Sequence, residues 1–567
     1  MKLHSMDRFI SLITIFISIA IFIFSELSYA ENPADQVKRQ IQERINTAQE
    51  SSQGACRDSV VCKSTLLPKL YTEREYLPAW SDDYGPFPYV EDFVEVIRNA
   101  YREGLRPEDY HLYKIEAALS GLYTSLIGGE TPDSAKVAEL DLMVTDAFLL
   151  YASHLVNGRV DHRRVYPDWV VNQRAVDLTA VLHRALSSGE IEEELADLAP
   201  HYPGYVRLKE KLMEYRGIAE KGGWQRIPQG SKLQKGSRGE RVAILKQRLM
   251  VSGDLESLAE NKHGIFDHDL EAAVRKFQKR NGLKIDGRVG RSTLEALNVP
   301  VEKRIRQIAL NMDRLRWLPD DHGDRNIFVN IADFSLDVIE DEKSVMAMRI
   351  IAGKNNWRSC VLSAKMTYLE LNPFWKVPDS IATKEILPHI KKDPDYLTKK
   401  NIKVLRDWND KAKTIDPRTV DWSRAKVSNF RYKFRQEPGP GNPLGRIKFI
   451  FPNDCEIYLH DTPTRHLFGR ARRDFSHGCI RIEKPVELAT YLLQNKETWT
   501  RKKILAEIRK GKRQVVMLPD PINVLIFYGT AWVDREGVIQ FRNDIYRIDE
   551  IPYELPAGRT GASAAAN

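Results

Sequence analysis

The chain has 567 residues, 42% of them hydrophobic, which is enough for three or four domains that each bury a core. Its 86 Lys and Arg against 78 Asp and Glu leave a formal charge of +8, with bases scattered as at Lys391-Lys392 and Arg470 to Arg473. Without a basic stripe or an interleaved aromatic platform, this balance argues against nucleic acid as a partner and suits an anionic cell-envelope polymer equally well.

At the N-terminus, Lys2 and Arg8 precede an apolar run from Phe9 to Phe24, and Ser28-Tyr29-Ala30 offers a small-x-small cleavage site before Glu31. Residues 1–30 therefore read as a signal peptide or anchor. The run is short for a membrane span, which needs roughly 20 apolar residues, so cleavage is the preferred reading. An uncleaved run would leave inner-membrane attachment through residues 9–24. Either outcome places the rest of the chain outside the cytoplasm, in the periplasm or cell envelope. Residues 31–65 are polar and form a helical or mobile spacer. They contain Cys56 and Cys62, which flank Arg57-Asp58-Ser59 and read as a local disulfide or as two unpaired thiols. The other cysteines are Cys360, Cys455 and Cys479, and an odd total leaves at least one thiol free. Cys455 reads as buried packing.

Residues 66–230 show helical spacing, as in Phe93-Val94-Val96-Ile97 and Leu140-Leu142-Met143, with breaks at Gly104, Pro107 and Pro132. A compact unit follows at 231–299. Gly236 and Gly239 precede a helix with Val242, Leu245 and Leu249 on one face. A second helix carries Leu270, Val274 and Phe277 and ends at Asn281-Gly282, and Ser292-Thr293 is placed to cap a third. From Asn326 the period changes to two, through Leu336, Val338 and Glu340, so residues 326–515 read as a mostly β domain. Helix-like polar sequence at 379–434, including Ile381 to Ile390 and Ile402 to Trp408, interrupts it and reads as an inserted lid subdomain. A helix is expected at Pro485 to Leu493. Residues 516–550 read as C-terminal strands packing back on the preceding domains, and 551–567 as a disordered tail.

The chemistry concentrates in Ser476-His477-Gly478-Cys479, with His460 19 positions before the cysteine. A thiol with a pKa near ~8.5 needs an imidazole or a positive neighbour to act as a nucleophile at neutral pH. Glycine before it lets the backbone turn and bring N–H groups to a substrate carbonyl. A nucleophile, a turn glycine, a serine and two histidines within about twenty residues mark a catalytic thiol rather than a buried hydrophobe.

These residues resemble the L,D-transpeptidase catalytic domain, whose signature is an upstream His followed by Ser/Thr-His-Gly-Cys. Gly441-Asn442-Pro443-Leu444-Gly445, Lys448-Phe449-Ile450-Phe451-Pro452-Asn453, Leu467-Phe468, Arg481 and Pro485 extend the resemblance, which is strongest over 435–490. The chain is similar to the large periplasmic subgroup, with a helical scaffold domain at 66–230 and a three-helix peptidoglycan-binding module at 231–299. It departs from the pattern at Arg358-Ser359-Cys360-Val361, where a Thr-Pro is expected. The resemblance implies Cys479 as nucleophile and His460 as base, oriented by the carbonyl of Asp461, because consecutive strand side chains face opposite ways. It makes Ser476 the residue that fixes the turn and His477 a hydrogen-bonding shaper of the motif, with base as its rival role. The N–H groups of His477, Gly478 and Cys479 become the oxyanion hole. Arg481 is either a receiver of a substrate carboxylate or a structural ion pair. Asn442, Tyr458, Phe468 and Trp375 are candidate wall residues; core packing is the equal alternative for Tyr458, Phe468 and Trp375, whereas Asn442 is expected to be loop-exposed.

The implied reaction is acyl transfer through a Cys479 thioester on peptidoglycan tetrapeptide stems, forming 3→3 cross-links without a cofactor. Peptidoglycan stems and glycan, and other wall-synthesis enzymes, are the implied partners. Water as acceptor would make an L,D-carboxypeptidase, and a lipoprotein lysine an anchoring transferase. Two rivals belong to other classes. One is a metal site from His460, His466, His477 and Cys479, which lacks Cys-x-x-Cys spacing. The other is a non-catalytic wall-binding protein.

Overall fold

The structure, a computed structural model, describes residues 32–50, 66–82, 84–160, 169–170, 174–256, 264–319, 323–408 and 413–550. The signal or anchor segment, the Cys56 and Cys62 pair, and the 551–567 tail lie outside these residues.

The first described helix, Pro33–Glu50, falls where a spacer is expected, and it docks. Val37, Ile41 and Ile45 recur every four residues and bury one face against the 24-residue helix Ser134–Asn157. That long helix starts at Asp133, whose carboxylate accepts the Ala135 N–H. Tyr89–Arg98 adds Val90, Phe93, Val94 and Ile97 to the same core.

The next unit packs helices Glu240–Val251, His268–Arg280 and Arg291–Leu297 around Leu245, Leu249, Phe277 and Leu297. Gly282, at φ +62°, turns the chain after the second helix. The expected Ser292-Thr293 cap is displaced: Gly290 begins the third helix, and Thr293 is buried, accepting from Gln278 Nε2 at 3.2 Å. Two arginines join this unit to its surroundings. The Arg248 guanidinium lies 3.6 Å from the Trp224 ring centre, and that of Arg304 lies 4.2 Å from Phe541.

The β region is one sheet that closes on itself. Its strands are β1 (Trp169–Val170), β2 (Arg325–Asn330), β3 (Ser335–Glu340), β4 (Lys343–Gly353), β5 (Val361–Leu371), β9 (Ile447–Ile450), β10 (Leu459–His460), β11 (Asp474–Ser476), β12 (Ile480–Ile482) and β13 (Gln514–Phe527). The order runs β9-β10-β12-β4-β3-β2-β13-β5-β1, β11 pairs β4, and β9 also pairs β5, which completes the ring. Ile327, Val329, Leu336, Val338, Ile350, Leu369 and Phe449 fill its core. β1 comes from the helical region, so the two parts share a ladder. The helix expected after the motif forms at Pro485–Leu492.

The C-terminal strands do not simply pack on a finished domain. β13 crosses the expected break at 515/516, pairing parallel with β2 and antiparallel with β5 in the middle of the sheet. Only the hairpin β14 (Ala531–Val533) and β15 (Ile539–Phe541) packs on the helices Pro203–Glu220 and Val301–Arg316.

The insertion at 379–434 has its own core of Val377, Ile386, Leu397, Val404 and Phe434. Its three-stranded sheet comprises β6 (Trp375–Lys376), β7 (Ile402–Leu405) and β8 (Lys433–Gln436), with β8 central. Ile402 to Trp408 is thus not helical. Buried Ile402, exposed Lys403 and buried Val404 alternate with period two and form β7.

Cys455 is likewise not a lone packed thiol: it forms a disulfide with Cys360 across 95 positions, tying the chain before β5 to the β9–β10 loop. Spacing along the chain gave no hint of a partner so distant.

A chain truncated after Val515 should fail to form the β domain, because it lacks most of a central strand. Circular dichroism and gel filtration check this, and a soluble, cooperatively melting truncation would contradict the central role of β13.

Candidate active site

Three neighbouring strands put the chemistry on one face. Lys448 on β9 is the register partner of His460 on β10, and His460 is the partner of Arg481 on β12. Leu459 pairs with Ile480, so Cys479, two residues before Arg481, comes opposite Tyr458, two before His460. Residues in register or two apart share a face, so Tyr458, His460, Cys479, Arg481 and Lys448 gather together. Tyr458, expected in the wall, is the strand neighbour of Cys479, and the charge of a Cys479 thiolate adds to burial in raising its phenol.

His460 is buried, and its Nδ1 lies 2.5 Å from the Asp461 carbonyl oxygen. With Nδ1–H donating there, Nε2 keeps its lone pair as a proton acceptor. The Asp461 carboxylate points the other way, accepting from the Arg446 N–H at 2.9 Å and from Arg465 Nη1 at 3.1 Å. Burial, reinforced by the charges of Arg481 and Lys448, lowers His460 to about 3. Burial also raises the Cys479 thiol, opposed by hydrogen bonds from Tyr458 and by the charges of Lys448 and Arg481. The resting pair is a neutral thiol beside a neutral imidazole.

The turn that presents Cys479 is held on both sides. Ser476 Oγ accepts the Gly478 N–H at 3.2 Å and donates to the Cys479 carbonyl at 2.6 Å. Gly478 adopts φ +113°, a conformation that disfavours any side chain. Ser359 Oγ donates to the Gly478 carbonyl at 2.6 Å and accepts from the Gly353 N–H at 3.0 Å. Tyr546 Oη accepts from the Ser359 N–H at 3.1 Å and donates to the Gly353 carbonyl at 2.9 Å. Ser359 stands in the segment where the family's Thr-Pro is missing, which was the one available signal for it. Tyr546, 187 positions from Ser359, left none. Of the three N–H groups expected to face an oxyanion, that of Gly478 is engaged by Ser476 in this arrangement.

His477 turns toward the insertion. Its Nε2 lies 2.7 Å from Glu385 Oε1, and its ring meets Trp357 edge-on at 5.2 Å. Arg481 Nη1 donates to Thr464 Oγ1 at 3.2 Å, its Nε is buried without a partner, and among the described residues no carboxylate pairs with it. The other three wall candidates lie as follows. Asn442 is buried, not loop-exposed: it donates to the Pro373 and Glu437 carbonyls and accepts the Leu444 N–H, organising the loop before β9. Phe468 is buried within the turn Arg465–Gly469. Trp375 packs on the core of the insertion. Among the described residues, no group of three or more His, Cys, Asp or Glu is arranged to hold a metal ion.

Residues 324–516 match the family described as "L,D-transpeptidase catalytic domain", residues 65–212 match "Scaffold domain", and residues 238–297 match "Putative peptidoglycan binding domain". A curated protein of Haemophilus influenzae named "Putative L,D-transpeptidase" is 34% identical over 265 residues, 46% of this chain. The chain spans about half (52%) of that relative's length. Among solved structures, an L,D-transpeptidase from Xylanimonas cellulosilytica is 15% identical, with a TM-score of 0.17, covering 53% of this chain and 99% of the other. One from Stackebrandtia nassauensis is 16% identical, with a TM-score of 0.20, covering 52% and 94%.

The buried imidazole sets a pH dependence. Unfolded His460 takes up a proton near 6.5 and the folded one only near 3, so the unfolded state binds more protons between these values. Stability contributed by His460 is therefore present above about pH 6.5 and lost as pH falls toward 3. In urea melts from neutral to acid pH, His460→Asn should show a shallower loss of stability than the wild type; equal slopes would contradict a neutral His460.

Proposed function

From the match of residues 324–516 to the L,D-transpeptidase catalytic domain, we propose that the protein is a periplasmic cysteine acyltransferase of that family that forms 3→3 cross-links in peptidoglycan. The observation that carries this reading is the register setting Cys479 beside Tyr458 and one step along the sheet from a buried His460 with Nδ1 committed to Asp461. In the first half-reaction, Cys479 Sγ attacks the carbonyl carbon of the third stem residue and its proton passes to His460 Nε2. The His477 and Cys479 N–H groups stabilise the oxyanion. The amide C–N bond breaks, the terminal D-Ala leaves as an amine with the proton from His460, and a thioester remains. In the second, the side-chain amine of another stem's diamino acid attacks the thioester, gives its proton to His460, and expels the Cys479 sulfur, which takes that proton back from His460 to restore the thiol. A new amide bond replaces the thioester.

Further features support the setting. The Arg481 guanidinium, free of any carboxylate among the described residues, suits the carboxylate of an anionic stem. The module matched at 238–297 suits retention on the wall, and the basic-apolar-small pattern of residues 1–30 suits export. A disulfide suits an oxidising compartment.

Purified protein incubated with disaccharide-tetrapeptides should yield 3→3 dimers by mass spectrometry. Tripeptide monomers alone would assign a carboxypeptidase, and no change would remove the reading. Cys479→Ala should abolish product. His460→Ala should lose at least about a hundredfold in carbapenem acylation, with part of it recovered at alkaline pH. His477→Ala should retain a wild-type pH profile; the reverse pattern would exchange the two histidines.

The insertion 379–434 serves in this reading as a lid joined to the motif by Glu385 and His477. Acylation of Cys479 should slow amide hydrogen exchange in it, and unchanged exchange would leave it a fixed wall.

A further inference from the structure

On β9 the row that contains His460 holds a lysine, Lys448, that has no ion pair among the described residues. Lys448 faces His460 on one side and Glu370 of β5 on the other. Glu370 is engaged by Arg513, and among the described residues no carboxylate lies within ion-pair distance of the Lys448 ammonium. Its Nζ instead sits 3.7 Å from the centre of the ring of Tyr458, the strand neighbour of Cys479. A half-buried ammonium gives up hydration, and an aromatic face restores only part of it. An anion close by would restore more. On this face the sulfur of Cys479 is such an anion once it loses its proton. The usual counter-ion of a reactive thiolate, an imidazolium, is not available here, because His460 stays neutral down to about 3.

We propose that Lys448 is a positioning residue for the nucleophile: its ammonium, seated on the Tyr458 ring, stabilises the Cys479 thiolate and sets the pH range over which the thiol reacts. This rests on the reading of Cys479 as nucleophile. The charge balance agrees with it from both ends. Burial lowers Lys448 while the Cys479 anion raises it, and Lys448 stands ahead of Arg481 among the charges that pull Cys479 down. The other groups facing this cluster are His460 and Tyr458 from β10, Glu456 before it, Arg481 from β12, Glu370 with Arg513 from the β5 side, and Lys376 from β6. Lys376 and Arg513 oppose the charge of Lys448, and Glu370 supports it.

The test is alkylation of Cys479 in the full chain by iodoacetamide, followed by peptide mass across about pH 5 to about pH 10. Lys448→Met should raise the midpoint of the rate profile by about one unit or more, which is roughly tenfold slower alkylation near pH 7, with rates converging at high pH. Lys448→Arg should keep the wild-type midpoint. An unmoved midpoint in Lys448→Met, including a uniform loss at every pH, overturns the proposal. Should that variant not fold, the wild type gives the answer. After reductive methylation with carbon-13, the Lys448 signal, identified by its absence in Lys448→Arg, should titrate at lower pH once Cys479 is alkylated. A midpoint indifferent to alkylation overturns the proposal equally. Iodoacetamide requires no stem peptide, so a failure of the transpeptidase reading appears in the muropeptide assay and leaves these midpoints unaffected.

Discussion

The row Lys448–His460–Arg481, set by backbone pairing between β9, β10 and β12, is the constraint on which the chemistry of this protein depends. Because side chains alternate across a strand, a slip of one residue in either ladder would send His460 or Cys479 to the opposite face. Leu459, Phe449 and Ile480 prevent this: they interleave with the polar residues and are buried in the core. Packing on one face of the sheet therefore fixes the alignment of reactive groups on the other. The closure of β9 onto β5 leaves that part of the sheet no open edge along which to shift.

The electrostatics of the face keep both His460 and Cys479 neutral at rest. Two cations and a buried imidazole make protonation of His460 unfavourable, and burial keeps the proton on Cys479. Neither member of the pair is charged at rest. An anionic ligand on Arg481 offsets the charge that most opposes protonation of His460 after burial itself, so the same group that binds also makes the base more basic. In the proposed reaction, binding and activation are then coupled through one guanidinium.

Much of this was legible because it is local. The Ser476 to Cys479 turn, the amphipathic helices and the Asp461 carbonyl behind His460 follow from period and from the alternation of strand side chains. What escaped is carried by distance along the chain. Tyr546 supports Ser359, Cys360 finds Cys455, and β13 enters between strands that precede it by well over a hundred residues. Ile402 to Trp408 misled for a different reason: a short apolar run of this kind satisfies either period, and pairing with β8 decided it. Asn442 looked exposed because it lies among Gly and Pro, yet such a loop has orphan backbone groups that a buried amide can satisfy.

The position of β13 also orders the events of folding. Residues 514–527 lie between β2 and β5, and among the described residues the sheet does not close at this point until they arrive. During vectorial delivery from the N-terminus, the helical units with their local contacts are able to settle first, while the sheet around Cys479 stays open until nearly all of the described chain has emerged. The thiol is therefore the last part of the molecule to acquire its surroundings. On the proposed reading of Cys479 as nucleophile, late closure of the sheet withholds it from substrates until its surroundings are complete.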